Sequence, residues 1–156
     1  GNEFEDVTGG WVYDDIHHHY AVAAKLTVTK NESSMTISIG SASGTSNGAG
    51  AAVITANDID LSDASSVKAN ITAGKFNTYI PIWLVVYPRA TEEMGQAGSW
   101  SNPANATKYI RITKVGEYSI DVSDLSGEYV VGFWFHSAGS SQTGSITVSK
   151  VNCTVS

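Results

Sequence analysis

The sequence predicts an all-β fold, a two-sheet antiparallel jelly-roll β-sandwich of about 8-10 strands. Three observations lead there. Apolar and polar residues alternate with period two along most of the chain, the strand signature. Glycine is frequent at 15, proline scarce at 3, and Ser and Thr are abundant, the balance of short strands joined by tight turns. Charged residues make up only 15%, whereas exposed helices normally carry many Lys and Glu on their outer faces. At 156 residues, with no linker, low-complexity tract or charge block, the whole chain (1-156) is expected to form a single β-sandwich domain.

The elements follow in order. Val22, Ala24, Leu26 and Val28 share one face against Ala23, Lys25, Thr27 and Thr29. After a turn at Asn31 to Ser34, the residues Met35, Ile37 and Ile39 continue the apolar side, so the pair reads as a hairpin. A Gly/Ser-rich stretch spans Gly40 to Gly50. Strands are then predicted at Ala52 to Ala56, Val67 to Thr72 and Tyr79 to Tyr87, with a short turn near Leu61 to Ala64. A long loop runs from Pro88 to about Thr107. The remaining strands are Lys108 to Thr113, Gly116 to Val122, Glu128 to His136 and Ser145 to Val155.

Composition excludes several function classes. A formal net charge of -6, with nine scattered Lys and Arg, argues against a nucleic-acid partner, which needs a basic stripe. No run approaches the roughly 18 to 20 apolar residues of a membrane helix, so membrane insertion is not expected. No charged-then-apolar start suggests a retained signal peptide. The single Cys153 permits neither an internal disulfide framework nor a cysteine metal cage and is read as a small buried hydrophobe.

The segments Asn57-Asp58-Ile59-Asp60-Leu61-Ser62, Tyr79-Ile80-Pro81-Ile82-Trp83-Leu84 and Ile120-Asp121-Val122-Ser123-Asp124-Leu125-Ser126-Gly127 carry a resemblance. The last runs on into Tyr129-Val130-Val131-Gly132-Phe133, and the series closes with Ser145-Ile146-Thr147-Val148. In this order the chain, from about Gly48 onward, resembles carbohydrate-binding-module-like, galactose-binding-like jelly rolls of gut bacterial secreted proteins and phage or prophage tail-associated proteins. The resemblance implies a carbohydrate-binding function, an extracellular or virion-associated location, and room for a structural calcium. Asp58, Asp60 and Asp63 are the candidates for such an ion, although the EF-hand spacing is absent. No other cofactor is expected. The Asp-x-Ser-x-Leu-Ser-Gly element, Asp121 to Gly127, itself encodes a turn and speaks for fold, not ligand.

Strand parity locates a candidate site. Ile80, Ile82, Leu84 and Val86 make the better core face, which leaves Trp83, Tyr87 and Arg89 opposite. In the same way Tyr129, Val131, Phe133 and Phe135 read as core and leave Val130, Gly132, Trp134 and His136 opposite. If the two strands are neighbours, Trp83, Tyr87, Arg89, Trp134 and His136 line one patch, joined by Trp100 from the long loop. Sugars suit such a patch, because their C–H faces stack on aromatic rings while Arg and His meet their hydroxyls. Alternatively, the Pro88 to Thr107 loop covers these aromatics as a second small core, or they pack against another subunit.

Other features carry less. His17, His18 and His19, near Asp14 and Asp15, lack convergent third and fourth ligands beyond the distant His136, so no metal site is expected. There is no G-x-S-x-G elbow, P-loop, G-x-G-x-x-G or H-E-x-x-H motif, and nothing supplies a facing partner for Glu92 or Glu93. The expectation is therefore a non-catalytic glycan-binding domain and not an enzyme. The alternative is a structural or assembly domain of a phage tail or surface appendage, whose partners are protein subunits.

Overall fold

The computed structural model describes residues 2–3, 26–39, 49–55, 58–88, 106–137, 142–151 and 154–156. These form strands β1 (Asn2–Glu3), β2 (Leu26–Lys30), β3 (Ser34–Ile39), β4 (Ala49–Ile54), β5 (Ile59–Asp60) and β6 (Ser66–Lys75). They continue as β7 (Ile82–Tyr87), β8 (Lys108–Ile112), β9 (Gly116–Asp121), β10 (Glu128–Ser137), β11 (Gly144–Ser149) and β12 (Thr154–Val155). Twelve segments exceed the eight to ten expected, but β1, β5 and β12 are two residues long, and nine longer strands remain among the described residues. No helix occurs among those residues.

Two antiparallel sheets result. In the first the order is β1-β12-β6-β11-β3-β2, with β9 also paired to β6; in the second it is β4-β10-β7-β8, with β5 on β10. Facing residues of both sheets, among them Ile37, Ile71 and Ile146 from one and Leu84, Phe133 and Phe135 from the other, pack into one buried cluster. That is the arrangement of a β-sandwich.

The first sheet shows the alternation its sequence promised. Met35, Ile37 and Ile39 are buried while Ser34, Thr36 and Ser38 are partly exposed. The β2–β3 hairpin is set by Asn31, whose Oδ1 accepts hydrogen bonds from the backbone N–H groups of Ser33 and Ser34 at 2.9 and 2.8 Å. This is the local side-chain mimicry of a turn that Asn favours. The expected terminal strand Ser145 to Val155 is divided: β11 ends at Ser149, where a turn precedes β12, and the two pieces pair with successive lengths of β6.

The Asp121-to-Gly127 element is a turn, as its residues imply. The Asp121 carboxylate accepts from Ser123 Oγ at 2.6 Å and Ser123 N at 2.9 Å. Gly127 stands at φ +92°, where a side chain would be strained. The chain thereby enters β10 in register with β5, Glu128 opposite Asp60.

Candidate functional site

The second sheet departs from simple alternation, and that departure decides where a ligand can reach. Every residue of β7 is buried, in the run Ile-Trp-Leu-Val-Val-Tyr. Parity assigns the faces as expected: Ile82, Leu84 and Val86 join the sandwich core with Val131, Phe133 and Phe135, whereas Trp83, Val85, Tyr87, Val130 and Trp134 form a separate buried cluster on the opposite face. The strands are neighbours, with Trp134 directly opposite Trp83 and Val130 opposite Tyr87.

Of the readings the sequence leaves open for this patch, its burial fits the covered second core and not an open platform. Trp83 and Tyr87 are 1% exposed, Trp134 0% and His136 6%. Strand parity shows on which side of a sheet a ring lies, not whether that side is wet. Rings packed to this degree give a sugar no face on which to stack. Ala106, at the end of the long loop, packs on the cluster. Arg89 and Trp100 lie outside the described residues, as do His17 to His19 and Cys153. Trp134 Nε1 is buried and no described residue offers it an acceptor.

Among the described residues, what is open on this face is its rim, on the edge strand β8. Along β8 the exposed residues Tyr109 and Arg111 alternate with the more buried Ile110 and Ile112. Arg111 is opposite Trp83 in register and Tyr109 is opposite Val85. The Arg111 guanidinium lies over the Trp83 indole, 5.6 Å from the ring centroid. At this distance the ring quadrupole attracts the cation and restrains its orientation. Among the described residues nothing hydrogen-bonds or ion-pairs with Arg111, whereas Lys108 on the same strand is paired with Asp124 at 3.0 Å.

Arg111 also borders a half-open cleft of about 200 Å³, lined by Phe76, Asn77, Thr78, Ile80, Pro81, Arg111, Ile112 and Thr113. Ile80, Pro81 and Ile112 are buried, while Thr78, Arg111 and Thr113 are exposed. Apolar groups therefore lie deep and hydrogen-bonding groups stand at the mouth, the usual make-up of a small-ligand site.

Hydrogen bonds hold both walls. Asn77 Nδ2 donates to Gln142 Oε1 at 2.8 Å and to the Thr143 carbonyl at 3.3 Å, and Asn77 Oδ1 accepts from Tyr79 N at 2.9 Å. On the other wall the Tyr118 hydroxyl donates to the Lys114 carbonyl at 2.7 Å and accepts from Thr113 N and Lys114 N, each at 3.1 Å. The Phe76 ring lies over Gly74, where an added Cβ would come within 2.5 Å of the ring tip. A cleft fixed this way needs little ordering when a ligand enters.

No three His, Cys, Asp or Glu side chains converge on a metal-sized site among the described residues. Of the calcium candidates, Asp60 has its carboxylate in a local turn, accepting from Ser62 N at 2.9 Å. Hydrogen bonds from Ser62, side chain first and backbone second, hold the Asp60 carboxyl below its ordinary value.

The sequence reading missed Arg111 and the cleft. One signal was present: in Tyr109-Ile110-Arg111-Ile112-Thr113 period two places Tyr109, Arg111 and Thr113 together. The other wall comes from a turn more than thirty residues earlier, and no local pattern announces that meeting.

No protein-family model matches the sequence, and no curated protein is significantly similar to it.

Proposed function

We propose that this is a non-catalytic carbohydrate-binding domain of jelly-roll type, taking a sugar unit in the cleft between Arg111 and the Phe76–Pro81 turn. The observation that carries the reading is Arg111: an exposed guanidinium, restrained over a buried indole and unpaired among the described residues, at the mouth of a cleft with an apolar floor. Sugar hydroxyls accept from such a fork of N–H donors, and the Thr78 and Thr113 hydroxyls add both donors and acceptors. Tyr109, 44% exposed on the same side of β8, offers a ring to a neighbouring sugar unit. Antiparallel sheets between which the chain passes repeatedly, as from β3 to β4, β6 to β7 and β10 to β11, support the jelly-roll description. An extracellular or virion-associated location belongs to the same proposal.

A glycan array probed with the intact protein and with Arg111→Ala tests the reading. Removing Arg111 takes away a cation–π contact worth about 0.5–1 kcal/mol, so the variant should fold and melt close to the parent. Array retention should be lost. Equal retention by both proteins, or hydrolysis of a bound glycan, would contradict a non-catalytic site at Arg111.

A further inference from the structure

We infer that the cleft selects a sugar unit bearing a carboxylate, such as a uronic acid; this deepens the glycan-binding reading and rests on it. Among the described residues the lining contains one ionisable side chain, Arg111, and neither Asp nor Glu. That is unusual for this chain, which carries 15 acidic residues against 9 basic ones. With so many carboxylates available, an arginine at a cleft mouth would ordinarily find one, as Lys108 finds Asp124 at 3.0 Å three residues earlier. Among the described residues none reaches Arg111. Its planar fork matches a carboxylate through two parallel N–H···O bonds, a geometry that a lone hydroxyl does not fill. The buried Ile80, Pro81 and Ile112 lower the local polarity and strengthen such a bond. The indole of Trp83 beneath restrains the guanidinium before the ligand arrives. The net charge of the whole chain, -6, disfavours polyanions in general, so an acidic ligand depends on a matched cation such as Arg111.

The experiment uses oligosaccharides of galacturonate, glucuronate, mannuronate and guluronate, each beside its carboxyl-reduced neutral counterpart with the same linkages. Each is titrated into the intact protein by calorimetry at low and moderate salt. At least one acidic oligosaccharide should bind tenfold or more tightly than its neutral counterpart, with a preference that weakens as salt rises. Arg111→Gln should remove the preference, and Arg111→Lys, which keeps the charge but not the fork, should retain only part of it. Circular dichroism of each variant establishes that it is folded. Equal binding of acidic and reduced forms would overturn the carboxylate inference while leaving the glycan-binding reading in place. Binding of neither form, together with an empty array, would overturn both.

Discussion

At the scale of single residues, the two tryptophans on the outer face of the second sheet are structural. Truncating either Trp83 or Trp134 to alanine should destabilise the fold by about 3–5 kcal/mol, the usual cost of emptying a packed aromatic site, as denaturant unfolding would show. Trp134→Phe should be better tolerated than Trp83→Phe. It removes an indole N–H that is buried with no acceptor among the described residues, whereas Trp83 supports the Arg111 guanidinium. Asp121 supplies a pH signature. Hydrogen bonds from the Ser123 hydroxyl and then the Ser123 backbone N–H, with Lys108 adding a smaller attraction, hold its carboxyl below the ordinary value of 3.8. A lowered folded-state value adds stability that is fully present above pH 3.8 and is lost as pH falls through the folded value. The melting-temperature gap between the parent and Asp121→Ala should therefore close on acidification below that pH, and a gap unchanged down to pH 2 would deny the carboxylate its role in the turn.

Elements explain why some of this was legible in the sequence and some was not. The hairpin at Asn31 and the turn from Asp121 to Gly127 could be read directly, because each is built by a side chain reaching its own neighbouring backbone. The core faces of β7 and β10 were legible too, since period two holds along both. Their exposure was not. In the first sheet a buried residue is followed by Ser or Thr, as in β3 and β11, and the polar face is at least partly wet. In β7 no polar residue interrupts the run, and such continuity marks a strand covered on both sides. Bulky aromatics on a nominally outer face fit both a sugar platform and a second small core, and their burial matches the second core. Gly74 provides a test at this scale. An alanine there would bring its Cβ within 2.5 Å of Phe76 Cζ and 2.9 Å of the Ser145 carbonyl oxygen, so the ring or the strand must shift. Gly74→Ala should cost roughly 1–3 kcal/mol and weaken ligand binding in the cleft through displaced Phe76, although residue 74 does not line it.

For the whole molecule, the described residues divide into a sandwich core between the sheets and a smaller aromatic cluster behind the second one. The cluster holds up the rim on which Arg111 and Tyr109 stand, so under the proposed function stability and recognition would meet at one contact, the guanidinium over Trp83. This coupling permits one direct measurement. A proton–nitrogen correlation titration with a glycan retained on the array reports the Arg111 Nε–H and the indole N–H groups of Trp83 and Trp134 together. The Arg111 and Trp83 signals should move in step with saturation while Trp134, buried on the far side of its neighbour, stays in place. Movement of Trp134 and Tyr87 with Arg111 unchanged would place the ligand on the aromatic face itself and contradict the account.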